Sequence, residues 1–522
     1  MKVLFLIFMS LLYCSMANAQ LWNPDMGNGE YKNPVIYADY SDPDVIRVGE
    51  DFYMVSSSFN AMPGIPVLHS KDLINWEIIN HVYTSLPFDK YDKPAHGQGS
   101  WAPSIRYHEG TFYVYFCTPY EGLFVATTDH PKNEWELTHM LSVELWEDPC
   151  PLWDDDGNAY LVRSKLCGDD LYIHKMSPDG KKLLDNGKLV FSDPTQQPTI
   201  EGPKIFKKDG FYYILAPAGG VNNGWQTALR ASNIYGPWEQ KVVLHQGSTL
   251  INGPHQGGLV ELSSGEWWFA HFQDAGYMGR VVHLQPVEWI DDWPMMGYLE
   301  PDSEIGIPFE KHKKPDMGKK YEAKIPQTDD EFNEGQLGLQ WQWHANPKTE
   351  WFRMNENTLQ LNAIQNHSQE GNLWMVPNLL LQKFPAPTFS VTTKIAFQAD
   401  QEGDKSGLLI MGRQWGYLAM ERRNDGDYLC MQEGKFVKCA DATVEIESIK
   451  ITDSQVYLRV DVDEAAQCQF YYSLNNKEFK AIGTPFTAQK GRWIGAKVGL
   501  FCLNPNLVKS EGYSEFEWFR YN

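Results

Sequence analysis

Five times along the chain a short glycine-bearing turn is flanked by alternating apolar and polar residues, and this recurrence limits the fold more than any other feature. The turns are Val48-Gly49-Glu50-Asp51-Phe52-Tyr53, Glu109-Gly110-Thr111-Phe112-Tyr113, Asp156-Gly157-Asn158-Ala159-Tyr160, Asp209-Gly210-Phe211-Tyr212-Tyr213 and Ser264-Gly265-Glu266-Trp267-Trp268. Their aromatic members Tyr53, Tyr113, Tyr160, Tyr213 and Trp268 lie 47 to 60 residues apart. Asp-Gly between alternating runs signals a β-hairpin closed by a type I′ turn, which needs φ > 0 at both central residues. A repeat of about fifty residues holding four short strands is the pattern of a propeller blade, which buries its faces only against its neighbours. Five units therefore predict a five-bladed β-propeller. After three of the hairpins a small hydroxyl residue, a polar turn and a Trp follow: Ser70 to Trp76, Thr128 to Trp135 and Ser232 to Trp238.

At 522 residues the chain is too long for one hydrophobic core. Residues 20–32 are polar and Gly-rich and read as a loosely tied N-terminal arm, with the propeller expected over 33–294. From 295 to 328 Lys, Pro and Gly dominate without periodicity, which reads as a linker. Short alternating strands return from Asp329, for instance Leu359 to Ala363, Phe389 to Phe397 and Val456 to Val462, and predict a β-sandwich over 329–522. The fold class is all-β, a five-bladed β-propeller followed by a β-sandwich.

The net charge of −22 argues against a nucleic-acid partner, whose phosphates call for basic patches. Residues 1–19 carry Lys2, an apolar run from Val3 to Tyr13 and Ala17-Asn18-Ala19, the pattern of a cleaved secretory signal, so a periplasmic location is expected. Tyr13 is too bulky before Cys14 for a lipid-attachment site, and no later apolar run is long enough to span a bilayer. Once Cys14 is removed the cysteines are odd in number and scattered, which is no disulfide framework; Cys430 and Cys439 flank one hairpin and could pair, though buried free thiols fit better.

Each hairpin is preceded by a polar or aromatic residue close to a Pro: Ser41-Asp42-Pro43, Trp101-Ala102-Pro103, Glu147-Asp148-Pro149, Glu201-Gly202-Pro203 and Pro254-His255. Trp101 to Gly110, Asp148 to Gly157 and Glu201 to Gly210 are each nine residues, so these residues occupy equivalent stations. The first strand of a blade lines the central channel, so Asp42, Trp101, Asp148, Glu201 and His255 are expected to face one funnel. Any one of the three carboxylates could be a turn residue. Together they repel one another and lift each other's pKa, a cost that a function explains better. Paired carboxylates without an evident nucleophile, redox cofactor or phosphate loop suit glycoside hydrolysis, in which one group protonates the leaving oxygen and another activates water. A non-catalytic glycan-binding propeller is the rival reading.

On these residues the chain is similar to the five-bladed propeller enzymes of glycoside hydrolase family 43, arabinofuranosidases, xylosidases and arabinanases. The likeness rests on Ser41-Asp42-Pro43-Asp44, Glu147-Asp148-Pro149, Glu201-Gly202-Pro203, His69-Ser-Lys-Asp-Leu-Ile-Asn-Trp76 and Trp101-Ala-Pro-Ser104. Asp329-Asp330-Glu331-Phe332 and Leu339-Gln-Trp341-Gln-Trp343 resemble the start of the β-sandwich appended to many exo-acting members. The resemblance implies that Asp42 is the general base, Glu201 the general acid and Asp148 the residue that tunes the acid, with inversion at the anomeric carbon. It implies that Arg280 contacts sugar hydroxyls, that Trp101 and Phe59 contact substrate, and that His255 helps hold a calcium or other cation in the channel; the alternative for His255 is a hydrogen-bonded core histidine. The run Ser56-Ser-Ser-Phe59-Asn-Ala-Met-Pro-Gly64 looks more like that of arabinofuranosidases, so α-L-arabinofuranosyl ends of plant hemicellulose oligosaccharides are the first expectation and β-D-xylosyl ends the second. A retaining fructan-active propeller is the other enzymatic alternative, and Glu147 before Asp148 departs from its pattern.

Overall fold

The computed structural model describes residues 21–366, 372–436, 442–506 and 509–522. The leader at 1–19 and Cys439 lie outside these residues, whereas Cys430 is a buried free thiol. Five antiparallel sheets follow in chain order, each built outward from the strand that enters the channel. Blade one is Asp44–Val48, Asp51–Val55, Gly64–Ser70 and Trp76–Tyr83. The channel strands of the other four are Ser104–His108, Trp146–Trp153, Lys204–Lys208 and His255–Glu261. The recurrent Trp serves one purpose in three blades: Trp76 opens the outer strand, and Trp135 and Trp238 immediately precede Glu136–Leu141 and Glu239–Leu244. In blade one Ser70 Oγ accepts from the amides of Asp72 and Leu73, and Asp72 Oδ1 accepts from those of Ile74 and Asn75, so the polar turn satisfies its own backbone.

The hairpins are not all of one type. Both central residues take φ > 0 at Glu109-Gly110 and at Asp209-Gly210, as a type I′ turn requires. At Gly49, Gly157 and Gly265 only the glycine does so, because the loops are closed differently.

Two segments that read as loose are structural. The arm strand Glu30–Lys32 pairs with Lys311–Lys313, a strand inside the stretch that reads as a linker. Tyr31 is fully buried and its hydroxyl donates to Leu284 O in blade five. Asn33 Nδ2 donates to both Leu284 O and Phe309 O, and Ile36 bridges Val282. The arm therefore clasps the last blade to the first. Further along, Gly306–Ile307 extends the sheet of blade four by pairing with Leu244 and with Tyr298–Leu299. Polar composition concealed these strands, because a single buried aromatic in a three-residue strand creates no periodicity.

The C-terminal unit is two packed antiparallel sheets whose strands alternate inward and outward residues, as in Gln455–Val462 and Phe389–Gln398. Its core is continuous with Met278 and Val281 of blade five. Contact with blade one is by backbone: Met62 and Trp343 exchange both N–H···O bonds, at 3.0 and 2.5 Å, and Gln342 Nε2 donates to Pro63 O. No long helix occurs among the described residues.

Removing the arm's anchor should open the ring. We expect Tyr31→Ala to cost on the order of 3–5 kcal/mol, as other large aromatic truncations in cores do; urea unfolding of the propeller transition measures it, and a loss below about 1 kcal/mol would mean that the arm only decorates the surface.

Candidate active site

The channel strands begin with a shared backbone device. Asp42, Asp148, Gly202 and Gln256 have φ of 55°, 57°, 59° and 40°, and a Pro follows the first three. A left-handed residue here turns the chain sharply as it enters the sheet, and Asp tolerates that conformation better than most side chains. At Gly202 a side chain is also excluded by space, since a Cβ would lie 2.1 Å from Gln256 Cγ. These angles set the true register between blades. Asp42, Ala102, Asp148, Gly202 and Gln256 form one ring of equivalent positions, and Ser41, Trp101, Glu147, Glu201 and His255 form the ring before it. The expected equivalence of Asp42 and Asp148 with Trp101, Glu201 and His255 is thus displaced by one residue. The funnel survives, because adjacent residues in the bulged entry both reach it.

Asp42, Asp148, Glu201, Trp101, Arg280 and Phe59 line one cavity of about 340 Å3. Asp42 is buried, and its Oδ2 accepts from Ser41 Oγ at 2.7 Å and Ser57 Oγ at 2.5 Å. Arg280 Nη1 reaches Ser41 Oγ at 2.8 Å and Asp42 Oδ1 at 3.4 Å. Two hydroxyls and a guanidinium therefore fix the Asp42 carboxyl. Asp148 Oδ2 instead accepts from uncharged donors, the Gly202 amide at 2.7 Å and Gln256 Nε2 at 2.9 Å. Through Gly202 it is tied to the residue next to Glu201, which gives it a mechanical hold on Glu201.

Phe59 and Trp101 belong to two loops zipped together. Phe59 N donates to Ser100 O and Ser100 N to Phe59 O, and a Cβ at Gly99 would lie 2.0 Å from Phe59 O, so only glycine permits the approach. Trp101 Nε1 donates to Gly97 O, leaving the indole's apolar body toward the cavity.

His255 lies outside the cavity lining, beneath Glu201. It is fully buried, its Nε2 stands 3.2 Å from Glu201 Oε1, and neither ring nitrogen has a hydrogen-bond partner among the described residues. Buried ring nitrogens without a protein hydrogen bond among the described residues fit a water-sheathed cation, for which His255 would be the protein's contact.

Several site residues escaped the sequence reading. The β-sandwich supplies Arg413, Lys490, Gly491, Trp493 and Ile494 to the cavity. The Trp493 ring sits 5.4 Å from that of Trp101 and 5.9 Å from that of Phe59. Lys490 Nζ pairs with Asp274 at 2.8 Å. Arg413 sits in the turn between Lys405–Met411 and Gln414–Arg423, and the others fall in a turn-rich stretch without alternation, so no pattern marks them. Glu147 also lines the cavity.

Burial, then the repulsion of Asp148 and Glu201, holds the Glu147 carboxyl far above the usual range; burial and the charge of Glu201 likewise raise Asp148, with Lys204 opposing. Carboxyls raised in the folded state leave stability intact below about pH 4; above that the unfolded chain ionises while the folded groups stay protonated, and stability falls progressively. Glu147→Gln, which cannot ionise, should therefore raise the melting temperature at pH 8 by several degrees and change it little at pH 4. Scanning calorimetry at both pH values decides; equal shifts would show that the charge is not the cause.

Known proteins match this arrangement along most of the chain. Residues 31–294 match the family model of glycosyl hydrolases family 43, and residues 329–522 match the beta xylosidase C-terminal concanavalin A-like domain. A protein of Xylanibacter ruminicola named "Putative beta-xylosidase" is 43% identical over 92% of this chain and 87% of its own. A beta-xylosidase of Formosa agariphila is 32% identical over 95% of this chain and 91% of its own. A non-reducing end alpha-L-arabinofuranosidase of Bacteroides ovatus is 26% identical, covering 96% of both chains. Among solved structures, a mutant of the family 43 protein BlXynB of Bacillus licheniformis superposes with a TM-score of 0.82 at 25% identity, over 94% of this chain and 99% of that one. The chain belongs to glycosyl hydrolases family 43.

Proposed function

We propose that this protein is an exo-acting, inverting β-D-xylosidase that removes single xylosyl residues from the non-reducing ends of hemicellulose oligosaccharides after export to the periplasm. The observation that carries the reading is the gathering of Asp42, Asp148 and Glu201 with Arg280 and Trp101 in one cavity walled on one side by the β-sandwich. A cavity of this size suits a small sugar, and a wall across it favours a chain end over a passing polymer. Xylose takes precedence over the arabinofuranose that the run 56–64 suggested, because two of the more similar relatives carry beta-xylosidase names and the arabinofuranosidase is more distant. Arabinofuranosidase activity stays as the second reading on the strength of that relative.

In this reading Asp42 accepts a proton from water poised at the anomeric carbon, while Glu201 gives its proton to the glycosidic oxygen. Arg280, bonded to Ser41 and Asp42, fixes the base and offers its remaining N–H groups to sugar hydroxyls. Asp148 acts through the Gly202 amide, holding Glu201 in place. A cation beside His255 would add positive potential below the site.

Release of 4-nitrophenol should show kcat/KM at least about tenfold higher for the β-D-xyloside than for the α-L-arabinofuranoside, a margin within what one hydroxyl contact provides; the opposite order installs the second reading. Proton NMR of the first-formed sugar should show α-xylose from the β-xyloside, and β-xylose would rule out the roles of Asp42 and Glu201. Glu201→Gln should lower turnover of xylobiose about 10²–10⁴-fold and spare activated aryl xylosides, whereas Asp42→Asn should damage both.

A further inference from the structure

Of the carboxyls that line the cavity, Glu147 and Asp274 have no task in the hydrolytic reading, and Asp274 is already paired with Lys490. Its backbone position is that of Glu201 one blade earlier. Trp101 N donates to Cys117 O and Glu201 N to Pro217 O, and Glu147 is paired with Ser164 in the same way, on the second strand of its own blade. Each of the three is followed by the residue that enters the Pro: Ala102, Asp148 and Gly202. Trp101 and Glu201 both serve the cavity from this position, and Glu147 stands between them in the ring.

Its surroundings are those of a group awaiting a partner. Glu147 is 6% exposed, lines the cavity, and makes no hydrogen bond or ion pair through its carboxyl among the described residues. One carboxyl oxygen from each of Glu147, Asp148 and Glu201 lies within 4.8 Å of the others. A buried carboxyl without a partner costs stability, and a leucine would fill the same space at no such cost. Asp42 and Asp148 have their donors already; Glu147 has none. Held neutral by this crowding, it would offer one O–H donor and one carbonyl acceptor side by side, the complement of a sugar hydroxyl.

We propose that Glu147 is a further substrate-contacting residue of this site, whose carboxyl group hydrogen-bonds a ring hydroxyl of the sugar being released, between the stacking Trp101 and the acid Glu201. The assignment rests on the glycosidase reading. It makes Glu147 a determinant of which pentose is accepted, because xylopyranose and arabinofuranose present their hydroxyls to this wall differently.

The test compares wild type, Glu147→Leu and Glu147→Gln on the 4-nitrophenyl glycoside the wild type prefers and on its monodeoxy analogues. Glu147→Leu should lower kcat/KM on the parent glycoside about 10–100-fold, the range for leaving one hydrogen-bonding group unpaired. On the one analogue that lacks the contacted hydroxyl the same substitution should cost less than about threefold. Glu147→Gln, which keeps a neutral donor and acceptor, should recover at least about tenfold of the loss on the parent. If the leucine variant does not fold, Glu147→Ala is read in the same way. Equal losses on every analogue, a glutamine variant as damaged as the leucine, or no loss at all each overturn the assignment. A wild type that turns over neither pentoside defeats the glycosidase reading instead, so the two failures are distinguishable.

Discussion

One buried carboxylate, Asp39, holds three parts of this molecule in register. Its Oδ1 accepts the Arg280 amide at 2.9 Å and its Oδ2 the Gly495 amide at 2.9 Å. The first bond fixes the end of blade five beside the first blade, and the second fixes the sandwich turn that carries Trp493 and Ile494. Both contacts depend on missing side chains: a Cβ at Gly279 would lie 2.4 Å from Asp39 Oδ1, and one at Gly495 would lie 2.5 Å from Met278 O. Charge supports the same joint. Burial and the neighbouring Lys383 push the Lys497 ammonium down to about 7, and the charge of Asp39 opposes the lowering of both lysines.

The cavity is consequently a product of the interface and not of the propeller alone. Blade loops 56–66 and 95–100 bond to each other through Phe59 and Ser100, and the sandwich grips the first of them through Met62, Pro63 and Asn60, whose Nδ2 donates to His344 O. The sandwich then returns with Trp493 against Trp101 and Phe59. Loops alone would be mobile, and a fixed aromatic wall requires a second body to brace them. This assigns the accessory domain a structural part in the shape of the pocket.

Much of this was legible in the sequence for a definite reason. Asp-Gly turns and alternating apolar runs are local signals, so the five hairpins and the sandwich strands could be read from their own residues. Carboxylates beside Pro at a regular distance from those hairpins carried the site with them. What stayed hidden depends on the third dimension. The arm strand Glu30–Lys32 gains its partner Lys311–Lys313 from 281 positions away, and Tyr31 alone buries it. The one-residue displacement among stations was concealed because spacing counts residues and cannot see φ, and the left-handed angle at Asp42, Asp148, Gly202 and Gln256 is what marks equivalence.

That corrected register changes how the carboxyls should be understood. Asp42 and Asp148 occupy the same backbone position two blades apart, yet one meets a guanidinium and two hydroxyls while the other meets two neutral amide donors. Identical backbone geometry thus presents the same side chain to different electrostatic surroundings, one cationic and one neutral, which suits the two aspartates to the different duties proposed for them. Glu147 and Glu201 form the second such pair, in adjacent blades, both lining the cavity, the first buried and the second more exposed. A fivefold repeat supplies equivalent stations around an axis at no extra design cost. The symmetry is then broken by neighbours: Arg280 of blade five against Asp42, Gln256 of blade five against Asp148, and Trp493 from outside the ring.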